Sequence, residues 1–468
     1  MSTAPTINHP SYYNAYQALR EQLSGNSPAW LNDLRSAAWE RFDSSGFPTA
    51  RRGNEPWKYT NVRPIAQGQF STAPSISGGP VSLLVGADGM PNVGDFLRNS
   101  WTRLVFLDGQ PLIGGQPNSP TASTVQRALQ YSAEEGTLRD HLGSHATIEE
   151  DAFVALNMAF LSDGAYVRLP DDCEEEVFLN IVHLRQRADS VVYPRTLIVA
   201  GRNTRLTMFE SYIGADPAKA SQYFTNAVTE ISVGEGARVT HYRLLNESRA
   251  AYHVGTTRVT QAKDSSYESG AFAMGCALGR HDLSVLLDGT GASCSLNGLY
   301  LTDNTEHMDN LVSIDHAHPH GTSRLYYKGI LDGRSRAVFG GTVLVREDAQ
   351  KTDAQQTDKN LILSDRAEVD SKPSLLIYAD DVKCGHGATA GHIDEDTLFY
   401  MRSRGLDPQT ASQILIHAFA SEIIDTVEHE PVREYLDSLF LDTVSGKTLA
   451  GIAGRSASTN SRPGQGGA

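Results

Sequence analysis

From about residue 165 to 390 the chain carries almost no helical periodicity, and this stretch of more than two hundred residues is what most limits the possible folds. Short runs rich in β-branched residues recur instead: Val177 to Val182, Thr196 to Val199, Val228 to Val233, Leu283 to Leu287, Val343 to Val345 and Leu375 to Tyr378. Similar turn phrases separate them, among them Gly234-Glu235-Gly236-Ala237, Asp288-Gly289-Thr290-Gly291-Ala292, Asp332-Gly333-Arg334-Ser335-Arg336-Ala337 and Ser364-Asp365-Arg366-Ala367. The alanines closing these turns, Ala237, Ala292, Ala337 and Ala367, are unevenly spaced, so no strict repeat is read. Similar turns feeding similar strands favour an irregular solenoid; periodicity alone leaves a sandwich open.

Both flanks are different. Residues 1 to about 65 read as polar helix, with Tyr16, Leu19 and Leu23 at helical spacing, then Leu31, Leu34 and Ala38. The aromatic turn Glu55-Pro56-Trp57-Lys58-Tyr59-Thr60 reads as an arm anchored on a larger body. Residues 66–125, rich in Gly, Pro and Ser, read as a small strand-and-loop region with apolar runs Val81 to Val85 and Leu104 to Leu107. Helical spacing returns over 149–161 through Phe153, Leu156, Asn157 and Phe160. At the other end Asp394 is placed to cap a short helix ending before Gly405, and Asp407-Pro408 reads as an N-cap followed by proline. Ala411, Ile414, Leu415, Ala418, Phe419 and Glu422/Ile423 follow the i, i+3, i+4 rule, and Pro431 opens a last helix with Val432, Tyr435, Leu436 and Leu439 on its apolar side. The division is therefore 1–150, a strand-built core over 151–392, a helical domain over 393–445, and a disordered tail over 446–468. The C-terminal helices serve as a cap on the solenoid, a docking site, or both.

Forty basic against fifty-five acidic side chains, a formal charge of −15, oppose counterion-driven nucleic-acid binding. No apolar run approaches the roughly 20 residues that span a bilayer, and the first residues lack a signal-peptide layout. A cytoplasmic protein with no membrane or nucleic-acid partner is expected. The four cysteines, 173, 276, 294 and 384, form no Cys-x-x-Cys pair and fit a reducing compartment. They cannot close a four-thiolate iron–sulfur site within one chain.

Cys384-Gly385-His386-Gly387 is the richest chemical phrase. In an extended segment residues i and i+2 share a face, so thiol and imidazole point the same way, and sulfur with imidazole suits iron, zinc or copper(I). The glycines leave the backbone open to close approach. A buried structural cysteine is the plainer alternative. His316, His318 and His320 alternate, but Pro319 and Gly321 break the strand, so they read as a loop with exposed histidines in which His316 is the better candidate for a partner. Ser445-Gly446-Lys447-Thr448 resembles the end of a phosphate loop, yet Leu441 stands where the first glycine belongs. The polar run Lys351 to Asn360 is either an exposed rung or a polar ladder inside a solenoid. No nucleophile elbow, zinc-protease or dinucleotide motif appears.

Taken together these phrases resemble the SufB/SufD family of iron–sulfur cluster assembly proteins. The resemblance rests on Glu55 to Thr60, Asn157 to Gly164, Leu278 to Asp282, Leu287 to Leu301, His316 to Lys328, Ile330 to Gly341, Ala349 to Thr352, Pro373 to Thr389 and the C-terminal helices. Trp57-Lys58-Tyr59-Thr60 and Lys383 to Thr389 resemble the SufD branch; SufB-like chains carry Glu-His-Glu where Gly385, His386 and Gly387 stand. The resemblance implies a mainly β chain, a right-handed parallel β-helix core flanked by helical N-terminal and C-terminal regions. It implies a non-catalytic scaffold paired with a SufB-like paralogue and binding a SufC-like ABC ATPase through the C-terminal helices, here Ile414, Leu415, Ala418 and Phe419. His386 matches a family ligand at the paralogue junction and Cys384 the neighbouring cysteine, both toward a nascent, transient iron–sulfur cluster or iron. A SufB-like homodimeric scaffold is disfavoured by the missing Glu-His-Glu. A β-helix carbohydrate-active protein is disfavoured by the absent export signal and carboxylate cluster.

Overall fold

The computed structural model describes residues 10–25, 27–51, 53–72, 101–114, 122–214 and 221–445. The expected strand at Val81 to Val85, the tail over 446–468 and most of the phosphate-loop look-alike lie outside these residues.

The chain winds alternately through two parallel sheets. The first stacks Ala165–Leu169, Arg195–Ala200, Phe224–Val233, Tyr252–Gln261, Leu278–Leu287, His307–His316, Arg336–Val345 and Glu368–Ile377. The second stacks Glu176–Arg185, Arg205–Gly214, Arg238–Asn246, Ser266–Ala273, Ser293–Thr302, Thr322–Leu331, Asp353–Ile362 and Lys383–Gly391. Each turn of this β-solenoid contributes one strand to each sheet. Turn length varies: Tyr252 aligns with Leu278 across the tightest turn, and Arg205 with Arg238 across one of the widest. A repeat therefore exists where the turn alanines suggested none. Ala237 and Ala292 occupy the same corner two turns apart, and Ala337 and Ala367 lie at the opposite corner in successive turns; the step from Ala292 to Ala337 crosses from one corner to the other.

The corners show why the stack holds register. At the passage from first to second sheet, Asp172, Asn203, Gly236, Asp264, Gly291, His320 and Lys351 all have positive φ. The amide of each donates to a carbonyl of the following turn, as in Asn203 to Glu235 (2.9 Å), Gly236 to Lys263 (3.0 Å), Asp264 to Thr290 (3.0 Å), Gly291 to Pro319 (3.1 Å) and His320 to Gln350 (2.9 Å). Glycine, Asn and Asp enter the left-handed region at low cost, which explains the composition of the turn phrases. His320 is thus a corner residue, while His316 is a buried strand end bonding Ser323 Oγ (2.9 Å) and His318 an exposed partner of Asp288 (3.4 Å). The three histidines form no common site, and the expectation of exposure fails for His316, which burial pushes down to about 4.

The interior is more polar than a β-branched reading allows. Buried Glu210 accepts from Thr196 (2.9 Å) and faces His241 (3.3 Å), and buried Arg243, His253 and Glu247 form a chain with contacts of 2.5 and 3.1 Å. These groups are paired, as buried polar groups must be.

Both outer faces are roofed. The helices Pro10–Leu23, Ala29–Ser45 and Ala152–Ala159 join a cluster with Leu197, Phe224, Val254 and Leu278 of the first sheet. The aromatic arm continues that roof: Trp57 is buried under the Arg280 guanidinium (3.9 Å), Thr60 donates to Asp309 (2.5 Å), and Glu55 meets Lys372 on the last strand (2.9 Å). On the second sheet sit Pro408–Ile424 and Glu430–Ser445, while Glu395–Ser403, which buries no residue, lies beside the former; Asp394 and Asp407 cap Glu395–Ser403 and Pro408–Ile424 as expected.

Candidate functional site

Lys383–Gly391 is the last strand of the second sheet and Glu368–Ile377 the last of the first; nothing further pairs with either among the described residues. Ala354 aligns with Cys384 and Gln356 with His386. Ala354 is fully buried inside the solenoid and Gln356 is 2 % exposed, so Cys384 and His386 also face inward. Among the described residues no turn follows to cover them. Cys384 is consequently half-buried against the core and His386 exposed. The strand alternation read from the sequence thus brings thiol and imidazole to one face, at the open mouth of the stack. Burial pushes the Cys384 thiol up, so in the free chain it is protonated and must release that proton to act as a ligand. A Cβ at Gly387 would meet no atom within 4 Å, which leaves this edge open to another surface.

Directly behind the mouth lies a polar group of residues that the sequence presented as two alternatives. Gln356, Asp358 and Asn360 face inward and Gln355, Thr357 and Lys359 alternate to the other face, so the run Lys351 to Asn360 is polar inside the solenoid as well as outside. No stack of amides runs between turns, because Leu325, Tyr327 and Gly329 stand behind the inward three. Gln356 Nε2 lies 3.3 Å from the Ser374 carbonyl and 3.4 Å from His386 Nδ1. Asn360 donates to Asp358 Oδ2 (2.7 Å) and accepts from the Tyr300 hydroxyl (2.6 Å). Burial pushes the Asp358 carboxyl up to about 6, with Ser371 and Asn360 beside it opposing. Asp358 and Gln356 were not singled out; the signal available was their alternation within one strand, a single turn ahead of His386. Among the described residues no three His, Cys, Asp or Glu side chains converge as a metal site.

The helix Pro408–Ile424 is seated differently from its sequence pattern. Ala411, Ser412, Ile416, Ala420, Ile423 and Ile424 are its buried face. Of the expected stripe only Ala411 and Ile423 belong to it; Ile414 and Ala418 are exposed, and Leu415 and Phe419 half-buried. Apolar residues occupy both sides of this helix, so helical spacing admits two faces and small residues decide which one packs. A latch fastens it to the strand Thr322–Leu331: the buried Lys328 ammonium donates to the Phe419 carbonyl (2.8 Å), lies 4.0 Å from the Phe419 ring centroid and pairs with Glu422 (2.7 Å). The Tyr326 hydroxyl also donates to Glu422 (2.5 Å). The neighbouring strand presents Gln356 and Asp358 inward, so helix, latch and mouth are physically contiguous.

Among the described residues no helix is long and apolar enough to cross a membrane. Residues 183–419 match the family described as "SUF system FeS cluster assembly, SufBD core domain", and residues 7–79 match "SufBD protein N-terminal region". An iron–sulfur cluster assembly SufBD family protein of Synechocystis is 34 % identical, over 88 % of this chain and 91 % of its own length. The iron–sulfur cluster assembly protein SufD of Escherichia coli is 31 % identical over 83 % of this chain and 88 % of its own, and SufD of Bacillus subtilis 24 % identical over 88 % and 93 %. Solenoid, open mouth and similarity agree: the chain belongs to the SufBD family of iron–sulfur cluster assembly proteins.

Proposed function

We propose that this chain is a non-catalytic, cytoplasmic scaffold whose last solenoid turn is completed by a SufB-like paralogue, with Cys384 and His386 as its half of a shared site. The nascent iron–sulfur cluster, or the iron that precedes it, is cargo. One observation carries the reading: two inward-facing ligand types sit in the strand alignment of a finished turn, with no turn over them. A thiol and an imidazole are too few to close a site alone and sufficient as half of one.

A SufC-like ABC ATPase docks on the outward side of the helix Pro408–Ile424, at Ile414, Leu415 and Ala418, with Phe419, whose ring lies against Lys328, at the margin of that surface. ATP-driven closure of two ATPase subunits pulls this helix, and the Lys328–Glu422 latch passes the displacement to the strands behind the mouth. The paralogue contact shifts, and buried ligands become accessible to iron and sulfide. This is a population shift between two arrangements of one assembly.

Native mass spectrometry of the chain with its cognate SufB-like and SufC-like proteins tests the partnership. A complex of one scaffold, one paralogue and two ATPases is expected; a stable monomer or homodimer that ignores both partners overturns it. His386→Ala is expected to leave that complex intact and impair cluster assembly. Normal assembly in this variant contradicts the ligand role. Ile414→Glu, on an exposed position, is expected to weaken ATPase binding with the fold unchanged by circular dichroism.

A further inference from the structure

The open mouth has a floor with unusual chemistry. Asp358 and Gln356 are 1 % and 2 % exposed, yet Asp358 Oδ1 and Gln356 Oε1 have no hydrogen-bond partner within 3.5 Å among the described residues, with the Ser371 side chain as a further polar neighbour of the Asp358 carboxyl. The hydroxyl of Tyr327, the in-register neighbour of Asp358 one turn back, is likewise buried and unpartnered. Leaving one such group unsatisfied costs about 1–3 kcal/mol, and three at adjacent inward positions point to something that binds them. All three atoms are oxygens, two of them acceptors only, and such a set attracts a cation rather than an anion.

The neighbours hold these atoms in readiness. Asn360 bonds only the other Asp358 oxygen, at 2.7 Å, and is itself held by Tyr300. Across the interior Gly341 leaves room for the amide: a Cβ there would stand 2.6 Å from Gln356 Oε1. His386 lies on the rim, its Nδ1 3.4 Å from Gln356 Nε2, the donor side of the amide, so the amide turns over when its oxygen joins His386 on an ion. A carboxylate and an amide oxygen with one imidazole suit a borderline divalent ion better than a soft one, and iron(II) accepts such a set.

We infer that Gln356 Oε1 and Asp358 Oδ1, with His386, form an inner oxygen-rich subsite for iron(II), one turn behind the mouth and independent of the Cys384 thiol. The inference rests on the proposed function, because it gives the scaffold a place to hold iron before sulfur ligands engage. The subsite binds with the Asp358 carboxyl ionised, so uptake releases any proton held there.

Cobalt(II), titrated anaerobically into the full-length chain, is the probe; its visible bands report binding and a near-ultraviolet thiolate band reports Cys384. One cobalt ion without the thiolate band is expected. Asp358→Asn, nearly isosteric, is expected to weaken binding at least about 10-fold with an unchanged melting temperature, and Cys384→Ser to change it less than about 3-fold. Equal affinity in Asp358→Asn and wild type overturns the subsite, as does a wild-type chain that binds no cobalt at millimolar concentration. If His386→Ala weakens binding while Asp358→Asn does not, the subsite falls and the ligand role of His386 stands. If neither variant matters, the subsite falls, while the shared-site role of His386 is decided by cluster assembly in the complex with the paralogue.

Discussion

The interior turns and the last turn share one backbone plan and differ in what covers them. Strands of both pair in parallel without a register break, and both alternate inward and outward positions. Yet the column Val239, Tyr267, Cys294, Ser323 and Ala354 is buried, and its next member, Cys384, is only half so. In the adjacent column Leu325 and Gln356 are buried and His386 is exposed. Exposure at the mouth is a matter of position in the stack. The outer roofs do reach this turn, through Glu55 on Lys372, while the latch holds the strand two before it. Among the described residues no further rung follows, and small inward residues at Ala388 and Ala390 leave room for one.

The sharpest test of this contrast pairs two glycines. A Cβ at Gly298 would stand 2.3 Å from the ring of buried Tyr327. Gly298→Val is therefore expected to cost about 3 kcal/mol in urea unfolding, at the upper end for overpacking. Gly387→Ala, with open space around it, is expected to stay within about 0.5 kcal/mol. Equal costs would break the distinction between closed and open turns.

The interior carries a second, pH-dependent signature. Burial, opposed by nearby Glu210 and Asp315 respectively, pushes His183 and His316 down to about 4, from 6.5 in the unfolded chain. The unfolded state therefore binds more protons between these values. Stability contributed by the neutral imidazoles is present above pH 6.5 and lost as pH falls toward 4, by up to about 3 kcal/mol each. Unfolding midpoints measured from about pH 7 to 4.5 should fall accordingly, and His316→Gln should flatten the slope. A pH-independent midpoint would contradict the buried assignment.

A smaller effect belongs to the latch. Lys328→Met keeps most of the volume but removes the bonds to Phe419 and Glu422. A loss of about 1–2 kcal/mol is expected, because Glu422 remains solvated. Amide exchange should rise in Pro408–Ile424 more than in the solenoid interior; a uniform rise would deny the latch a local role.

The sequence made the solenoid legible through its corners, where left-handed geometry favours Gly, Asn and Asp at five of the seven positions, His320 and Lys351 being the other two. It hid the repeat because turns differ in length and the alanines of the turn phrases belong to two opposite corners, so their spacings mix whole and partial turns. It also hid strands such as Arg238–Asn246 and Thr322–Leu331, whose inward residues include His241, Arg243, Ser323 and Tyr327 in place of β-branched ones. At the site, alternation was enough to place Cys384 and His386 on one face. Asp358 and Gln356 stayed obscure because their link to His386 runs between turns. The helix Pro408–Ile424 misled for a different reason: two apolar faces satisfy one periodicity.

The central claim is that the last turn is the scaffold's docking face, and hydrogen exchange of the full-length chain with and without its SufB-like paralogue tests it most directly. Exchange should slow in Glu368–Ile377 and Lys383–Gly391 when the paralogue is added, with interior strands such as Phe224–Val233 unchanged. Protection that appears elsewhere while these two strands exchange as before would contradict the account.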